Sequence, residues 1–269
     1  PLERLFAAHS QPIWRRGIVA DLGYYFLSSL LPALLLSFPI SLLSTLVRGL
    51  MPADFLLETA SLTLWARALV GLVASEIGYY WGHRWRHEIP WLWKFHAIHH
   101  SAPQLDFLVN TRAHPVDLVF GRFCSLAPLH MLGLGGPVDA NGSLVPVIVT
   151  LIGTFWGFFI HANLRWRFGP LEWLISTPAF HHWHHTLNGP FDRNFSSTLP
   201  WLDRLFGTHH LPKDSLPDAY GIQASMSDSL IDQLSYPFET HASVDTGSGV
   251  SNADDKSGDT NHNLPQDPV

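Results

Sequence analysis

The sequence predicts an all-α fold, an integral-membrane helical bundle of about four transmembrane helices capped by a cytosolic histidine-rich helical domain. Three observations predict it. Charged residues make up 14% of the 269-residue chain, against about 25% in a typical soluble domain. Uncharged apolar runs recur at membrane-spanning length, and the 17 histidines gather at helical spacing just beyond those runs. A chain so short of Lys, Glu and Asp cannot cover a water-facing surface, which points to a lipid-facing one.

The elements follow in order. Residues 1–17 read as an N-terminal cytosolic segment ending in Arg15 and Arg16. From Leu22 to Val47 there are 26 consecutive uncharged residues, more than the ~20 that cross a bilayer as a helix. The run is too long, and too far from a small-residue cleavage site, for a signal peptide, and spans tolerate Pro32 and Pro39. A second apolar stretch from about Ser61 to Trp81, interrupted by Arg67 and Glu76, reads as the return leg. The third and fourth lie between Pro115 and Ile160, where only Asp117, Arg122 and Asp139 are charged. Residues 140–160 form an uncharged run of 21, whose Gly153 and Gly157 suit close helix packing in lipid. A hairpin turn is expected at GLGGP, ending at Pro137. Residues 18–234 therefore form one membrane domain, followed by a disordered acidic tail, 235–269, too polar to bury a core.

Charge sharpens the picture. Residues 1–212 sum to +2 and residues 213–269 to −8, so the overall −6 belongs to the tail. No basic patch is free of Trp and Leu, which argues against nucleic acid as a partner. Arg15 and Arg16 precede the first span, while Arg84, Arg86, Lys94, Arg112, Arg165 and Arg167 flank the later ones. The positive-inside rule places all of these in the cytoplasm, and four crossings return the chain to its starting side.

Nine of the histidines fall in three short clusters: His83/His87, His96/His99/His100 and His181/His182/His184/His185. His161 stands alone at the end of the fourth run. At this histidine content two HxxHH patterns in one chain are a chance event on the order of 0.2%. Neutral imidazoles at i, i+3 and i+4 let one helix present several nitrogens to an ion, and imidazole suits Zn, Fe, Cu and Ni. The single Cys124 excludes an intramolecular disulfide, a Cys-rich zinc ribbon and a cysteine-ligated iron–sulfur cluster, so a metal would be held by nitrogen and oxygen. Eight to ten imidazoles exceed the four of a structural zinc site, and two ions with four or five ligands each is the simplest count. His9, His130, His209 and His210 lack the spacing and suit interfacial anchoring. His241 and His262 belong to the tail. His182 lies off the ligand face of its helix, and His114 is left open as a tenth ligand.

The HxxxH, HxxHH, HxxHH series, with GHRWRHEIPWLWKFHAIHHS, HANLRWRFG, TPAFHHWHH and LDRLFGT around it, resembles the fatty acid hydroxylase/sterol desaturase superfamily of integral-membrane di-iron oxygenases, in a bacterial-type branch. The resemblance runs from about Leu62 to Thr208. It implies two Fe ions that activate O2 as co-substrate on the cytosolic side, held by His83, His87, His96, His99, His100, His161, His181, His184 and His185. No catalytic residue beyond these ligands is implied. Many members carry an aspartate shortly before the first motif, where this chain has Glu76.

Asp106, Asp117, Glu172, Asn163, Asn194 and Asp203 are expected to orient ligand N–H groups. Trp85, Trp93 and Trp183 are expected to pack the metal-bearing layer against the spans. The substrate is expected from the bilayer as a fatty acyl, sterol or other isoprenoid, or alkyl lipid, to be hydroxylated or desaturated. With no cysteine pair and no fused cytochrome b-type domain expected, electrons should arrive from a separate ferredoxin or cytochrome b-type protein. The alternative is a histidine-rich membrane metal transporter, which needs ligands or carboxylates near mid-span. A bis-histidine haem protein needs single histidines on facing helices instead.

Overall fold

A computed structural model describes residues 1–135, 144–213 and 215–239. Each of the predicted apolar runs forms a helix. In order the helices are α1 (Leu2–Leu5), α2 (Ile18–Leu50), α3 (Ala53–Ser61), α4 (Leu64–Glu88), α5 (Pro90–His100), α6 (Pro115–Met131), α7 (Leu144–His161), α8 (Pro178–His184), α9 (Trp201–Leu205) and α10 (Leu230–Ser235), with 3₁₀ turns at Phe107–Thr111, Gly169–Trp173 and Tyr236–Phe238. No strand occurs among the described residues beyond one isolated bridge, Thr186 to Tyr220.

At 1.5 Å per residue the 33-residue α2 is about 50 Å long, well beyond the ~30 Å hydrocarbon core. It contains Pro32 and Pro39 and buries only Ala20, Asp21, Tyr24 and Leu36. Phe26, Leu30, Leu34, Phe38, Leu42 and Leu46 stand exposed, a surface that only lipid solvates well. By length and hydropathy α2 and α7 can cross a membrane, and α3 with α4, bent by 114° at their junction, make a third if counted as one span. Among the described residues the predicted count of four is therefore not reached. The 17-residue α6 is short and carries Asp117 and Arg122, and α4 buries Arg67, Glu76 and Arg86. These two helices line an interior, so their inner faces are polar and their hydropathy is low.

α4 packs most extensively on α6 and also on α7, while α6 packs on α2. The closest approach comes from glycines that the pattern did not nominate. A Cβ on Gly78 would collide with the Cys124 carbonyl, and one on Gly82 would lie 2.6 Å from the Cys124 Cβ. Gly157 does sit against Asn110, whereas Gly153 has no atom within 4 Å of a built Cβ. The predicted GLGGP turn begins as expected, with Gly133 at φ +69° closing α6. Its end lies outside the described residues.

A buried ion-pair network ties the entry of α2 to the loop before α6. Asp21 bonds Arg15 at 2.7 Å and Arg112 at 2.5 Å, and Arg15 reaches Asp106 at 2.6 Å. Two of the arginines counted toward orientation are thus consumed inside the fold. At the other end α10 packs on α2, and Phe238 meets Phe95 with ring centroids 5.8 Å apart. Residues 235–239, assigned to the tail by composition, are part of the packed chain. The rest of that tail, 240–269, lies outside the described residues.

Candidate metal centre

Four helices deliver the histidines to one end of the bundle. His83 and His87 occupy the last two turns of α4, His96, His99 and His100 the end of α5, and His161 the last position of α7. His181 and His184 lie on α8, and His185 caps it. The short α8 is set by Pro178 at its first position and by Thr177, whose hydroxyl accepts from the Phe180 N–H.

All nine predicted ligands come together, in two groups. His83, His87, His96, His100 and His184 form one, and His99, His161, His181 and His185 the other. Within each group one ring nitrogen per residue lies within 4.8 Å of the others. The groups adjoin, with the His100 and His185 rings stacked 4.3 Å apart. Each HxxHH motif is therefore split: the i, i+4 pair serves one group and the middle histidine the other. At 100° per residue, i and i+4 are 40° apart and share a face, while i+3 and i+4 differ by 100°.

The outward nitrogens fix the chemistry of the inward ones. His83, His99, His161 and His184 donate Nδ1–H to the carbonyls of Phe195 (2.7 Å), Arg112 (3.1 Å), Gly157 (2.7 Å) and Arg193 (2.7 Å). His96 places Nδ1 3.1 Å from the Asp117 carboxylate, and His87 lies 3.2 Å from Asp192. A neutral ring that donates through Nδ1 presents a bare lone pair at Nε2. Yet the Nε2 atoms of His83 and His96 are 3.1 Å apart, and those of His99 and His161 3.2 Å. Lone pairs facing at that range repel unless a cation lies between them. In addition, His87, His100 and His184 bury an Nε2 with no partner among the described residues, and the His181 Nε2 lies 3.0 Å from that of His161 and 3.2 Å from that of His185. The donor set thus fits a pair of metal ions.

Burial holds these rings neutral. It lowers His96, His100, His181, His184 and His185 well below the ordinary histidine value, and His99 to about 3. The unfolded chain would protonate such rings below about pH 6.5, while the native state takes up no proton at His99 until about pH 3. The contribution of His99 to the stability of the metal-free protein should be full above pH 6.5 and fall as pH drops toward 3, by up to ~1.4 kcal/mol per pH unit, with the other rings acting in the same direction. Thermal unfolding across that range checks the slope.

Of the six groups expected to orient ligands, only Asp117 touches one. Arg86 shares it, with Nη1 3.2 Å from both carboxylate oxygens. Asparagine at Asp117 should weaken metal binding in the five-histidine group about 10–100-fold, measured by chelator competition. The other five act elsewhere. Asp106 pairs with Arg15, Glu172 pairs with Arg167, and Asn163 bonds the His9 backbone. Asn194 joins the Phe180 and His210 backbones. Asp203 acts one step removed: it accepts the N–H groups of Phe195 (2.7 Å) and Ser196 (2.9 Å), setting the carbonyl that receives His83.

Asp192 and the four backbone carbonyls were not among the expected partners, and no residue type signals a carbonyl. Of the three tryptophans only Trp93 meets the cluster, 5.2 Å from His87 and 5.6 Å from His100. Trp85 is exposed, and Trp183 faces His210. His182 stays outside both groups, donating Nε2–H to the Ala162 carbonyl and accepting from the Tyr220 hydroxyl at 3.0 Å. His114 is also outside, its Nδ1 accepting from the Val116 N–H at the start of α6. Glu76 accepts from the Thr198 and Leu199 N–H groups and so ties α4 to the segment before α9.

A family model described as fatty acid hydroxylase matches residues 68–208, just over half the chain, and takes in all nine histidines. The chain belongs to the fatty acid hydroxylase family. An ornithine lipid hydroxylase from Rhizobium tropici is 34% identical to this family member over 64% of the chain and 50% of its own length. An alkylglycerol monooxygenase from Danio rerio is 32% identical over 59% and 32%. A methylsterol monooxygenase from Arabidopsis thaliana is 26% identical over 74% and 71%. The chain thus spans half the length of the first relative and about a third of the second. No solved structure matches the chain.

Proposed function

We propose that this fatty acid hydroxylase family member is a membrane-bound, O2-dependent di-iron oxidoreductase that hydroxylates or desaturates a lipid-type substrate. The observation that carries this reading is the convergence of nine buried imidazoles into two adjoining groups with lone pairs facing inward. His83, His87, His96, His100 and His184 would hold one iron, and His99, His161, His181 and His185 the other. Two irons bound there supply the reduction of O2 to an oxidant able to take hydrogen from an unactivated C–H bond. The names of the hydroxylase and monooxygenase relatives favour oxygen insertion on a fatty acyl, sterol or alkyl lipid.

The chain's own part is positional. The carbonyls of Phe195, Arg112, Gly157 and Arg193 hold four rings in one tautomer, and Asp117 orients His96. Burial of the cluster keeps bulk water from the reacting carbon. We place the centre on the cytoplasmic side, supported by the flanking bases Lys94 and Arg165, and supplied with electrons by a separate ferredoxin or cytochrome b-type donor. A metal transporter is disfavoured because the ligands cluster at one end of α4 and α7 rather than at mid-span. Purified protein should carry two irons per chain without a Soret band, and ¹⁸O₂ should label a lipid product or be needed for loss of two hydrogens. Metal flux into liposomes with no retained iron would overturn the reading.

A further inference from the structure

A cavity of about 130 Å³ lies against the cluster, with His96, His99 and His161 in its wall and the remainder contributed mainly by α4, α6 and α7. That is close to the ~150 Å³ of an engineered cavity that holds benzene. It accommodates a headgroup-sized moiety, while the long chains of a lipid stay outside. An alkyl segment alone would call for apolar walls throughout, yet beside Leu72, Leu118, Val149 and Ile160 this one carries two guanidinium groups, Arg86 and Arg122.

The two arginines differ. Arg86 is neutralised by Asp117. Arg122 lies five residues further along α6, about 7.5 Å away along its axis. Its Nη2 donates to the Thr154 hydroxyl at 3.2 Å, and among the described residues no carboxylate forms an ion pair with it. The other acid in the wall, Glu76, is engaged by backbone N–H groups of Thr198 and Leu199. A guanidinium kept within a membrane bundle without a counter-charge is costly, and such residues mark ligand sites.

We propose that Arg122 is the counter-ion for an oxyanion, carboxylate or phosphate, carried by the lipid substrate and seated in this cavity one to two helical turns from the histidines. The proposal rests on the oxygenase reading and narrows it to an anionic or zwitterionic lipid oxidised near its headgroup, in place of a neutral sterol or hydrocarbon. The bidentate fork of arginine suits such oxyanions. Gly153 keeps the wall open, since a side chain there would meet no atom within 4 Å of its Cβ.

The test uses the full chain, iron-loaded and in detergent, with palmitate, dodecyl phosphate and hexadecanol as probes in equilibrium binding. Wild type should bind the two anions at least about 10-fold more tightly than the alcohol. Arg122→Gln should erase that preference with iron content and hexadecanol affinity unchanged, and Arg122→Lys should retain part of it. Gly153→Leu should weaken all three probes. The proposal falls if wild type shows no anion preference, if Arg122→Gln keeps it, or if inorganic phosphate displaces palmitate at equal concentration, which would mark a free-anion site. A wild type that lacks iron yet shows the Arg122-dependent preference would sink the oxygenase reading and leave the anion site standing.

Discussion

Alanine at His99 is expected to cut the iron content from two per chain to about one and to lower O2-dependent product formation by at least about 10³-fold. Alanine at His184 should do the same through the other group. His99 serves the four-histidine group and His184 the five-histidine group, so the two variants remove different ions with one phenotype. Both should insert in the membrane as wild type does, because the spans α2 and α7 are untouched. His182→Ala is the contrast. It stands beside the ligands but outside both groups, bonded to Ala162 and Tyr220. It should keep two irons and lose only about 1–3 kcal/mol of stability from unpaired buried groups. Metal analysis with ¹⁸O₂ labelling checks the set, and retained activity in both His99→Ala and His184→Ala would overturn the ligand assignment.

Asp21→Ala should be the most destabilising single change away from the metal centre, at about 3–5 kcal/mol. The Asp21 side chain is fully buried and bonds both Arg15 and Arg112. Removing it leaves two guanidinium groups in the interior with Asp106 as their one remaining carboxylate on the Arg15 side. The effect should also reach the metal. The Arg112 carbonyl accepts the His99 Nδ1–H, so loosening Arg112 should weaken metal retention in the four-histidine group. Thermal unfolding in detergent and chelator competition measure the two consequences. Unchanged stability would mean that water replaces the lost partner.

The membrane character was legible because composition and run length respond directly to the solvent. α2 was predicted as Leu22–Val47 and observed as Ile18–Leu50. The crossing count was not legible, because α4 and α6 carry polar residues for their interior face, and hydropathy cannot tell an inward Arg86 from an outward one. The proposed ligands were legible for a different reason: eight imidazoles in short helical patterns, with His161 beside them at the end of an apolar run, have few other uses. Their supporting partners were not. Of the six polar groups expected beside them Asp117 touches a histidine and Asp203 acts through the Phe195 carbonyl, while Asp106, Glu172, Asn163 and Asn194 serve contacts elsewhere. Backbone carbonyls such as those of Phe195 and Arg193 are present at every residue, so only their placement distinguishes them.

By itself the sequence determined that the chain is helical, embeds in lipid and concentrates imidazoles beyond its apolar runs, since periodicity and composition are local properties. The tertiary structure alone decided which histidines share a group. Spacing suggested that each HxxHH would face one metal, but α5 and α8 lie between the two groups, so His96 and His100 turn one way and His99 the other, as His181 and His185 do against His184. The physical reason is that a 100° step between adjacent positions separates faces without saying what each face meets. It likewise placed Arg122, which has no carboxylate partner among the described residues, in the cavity that His96, His99 and His161 line, a consequence of how α4, α6 and α7 pack that no single helix encodes.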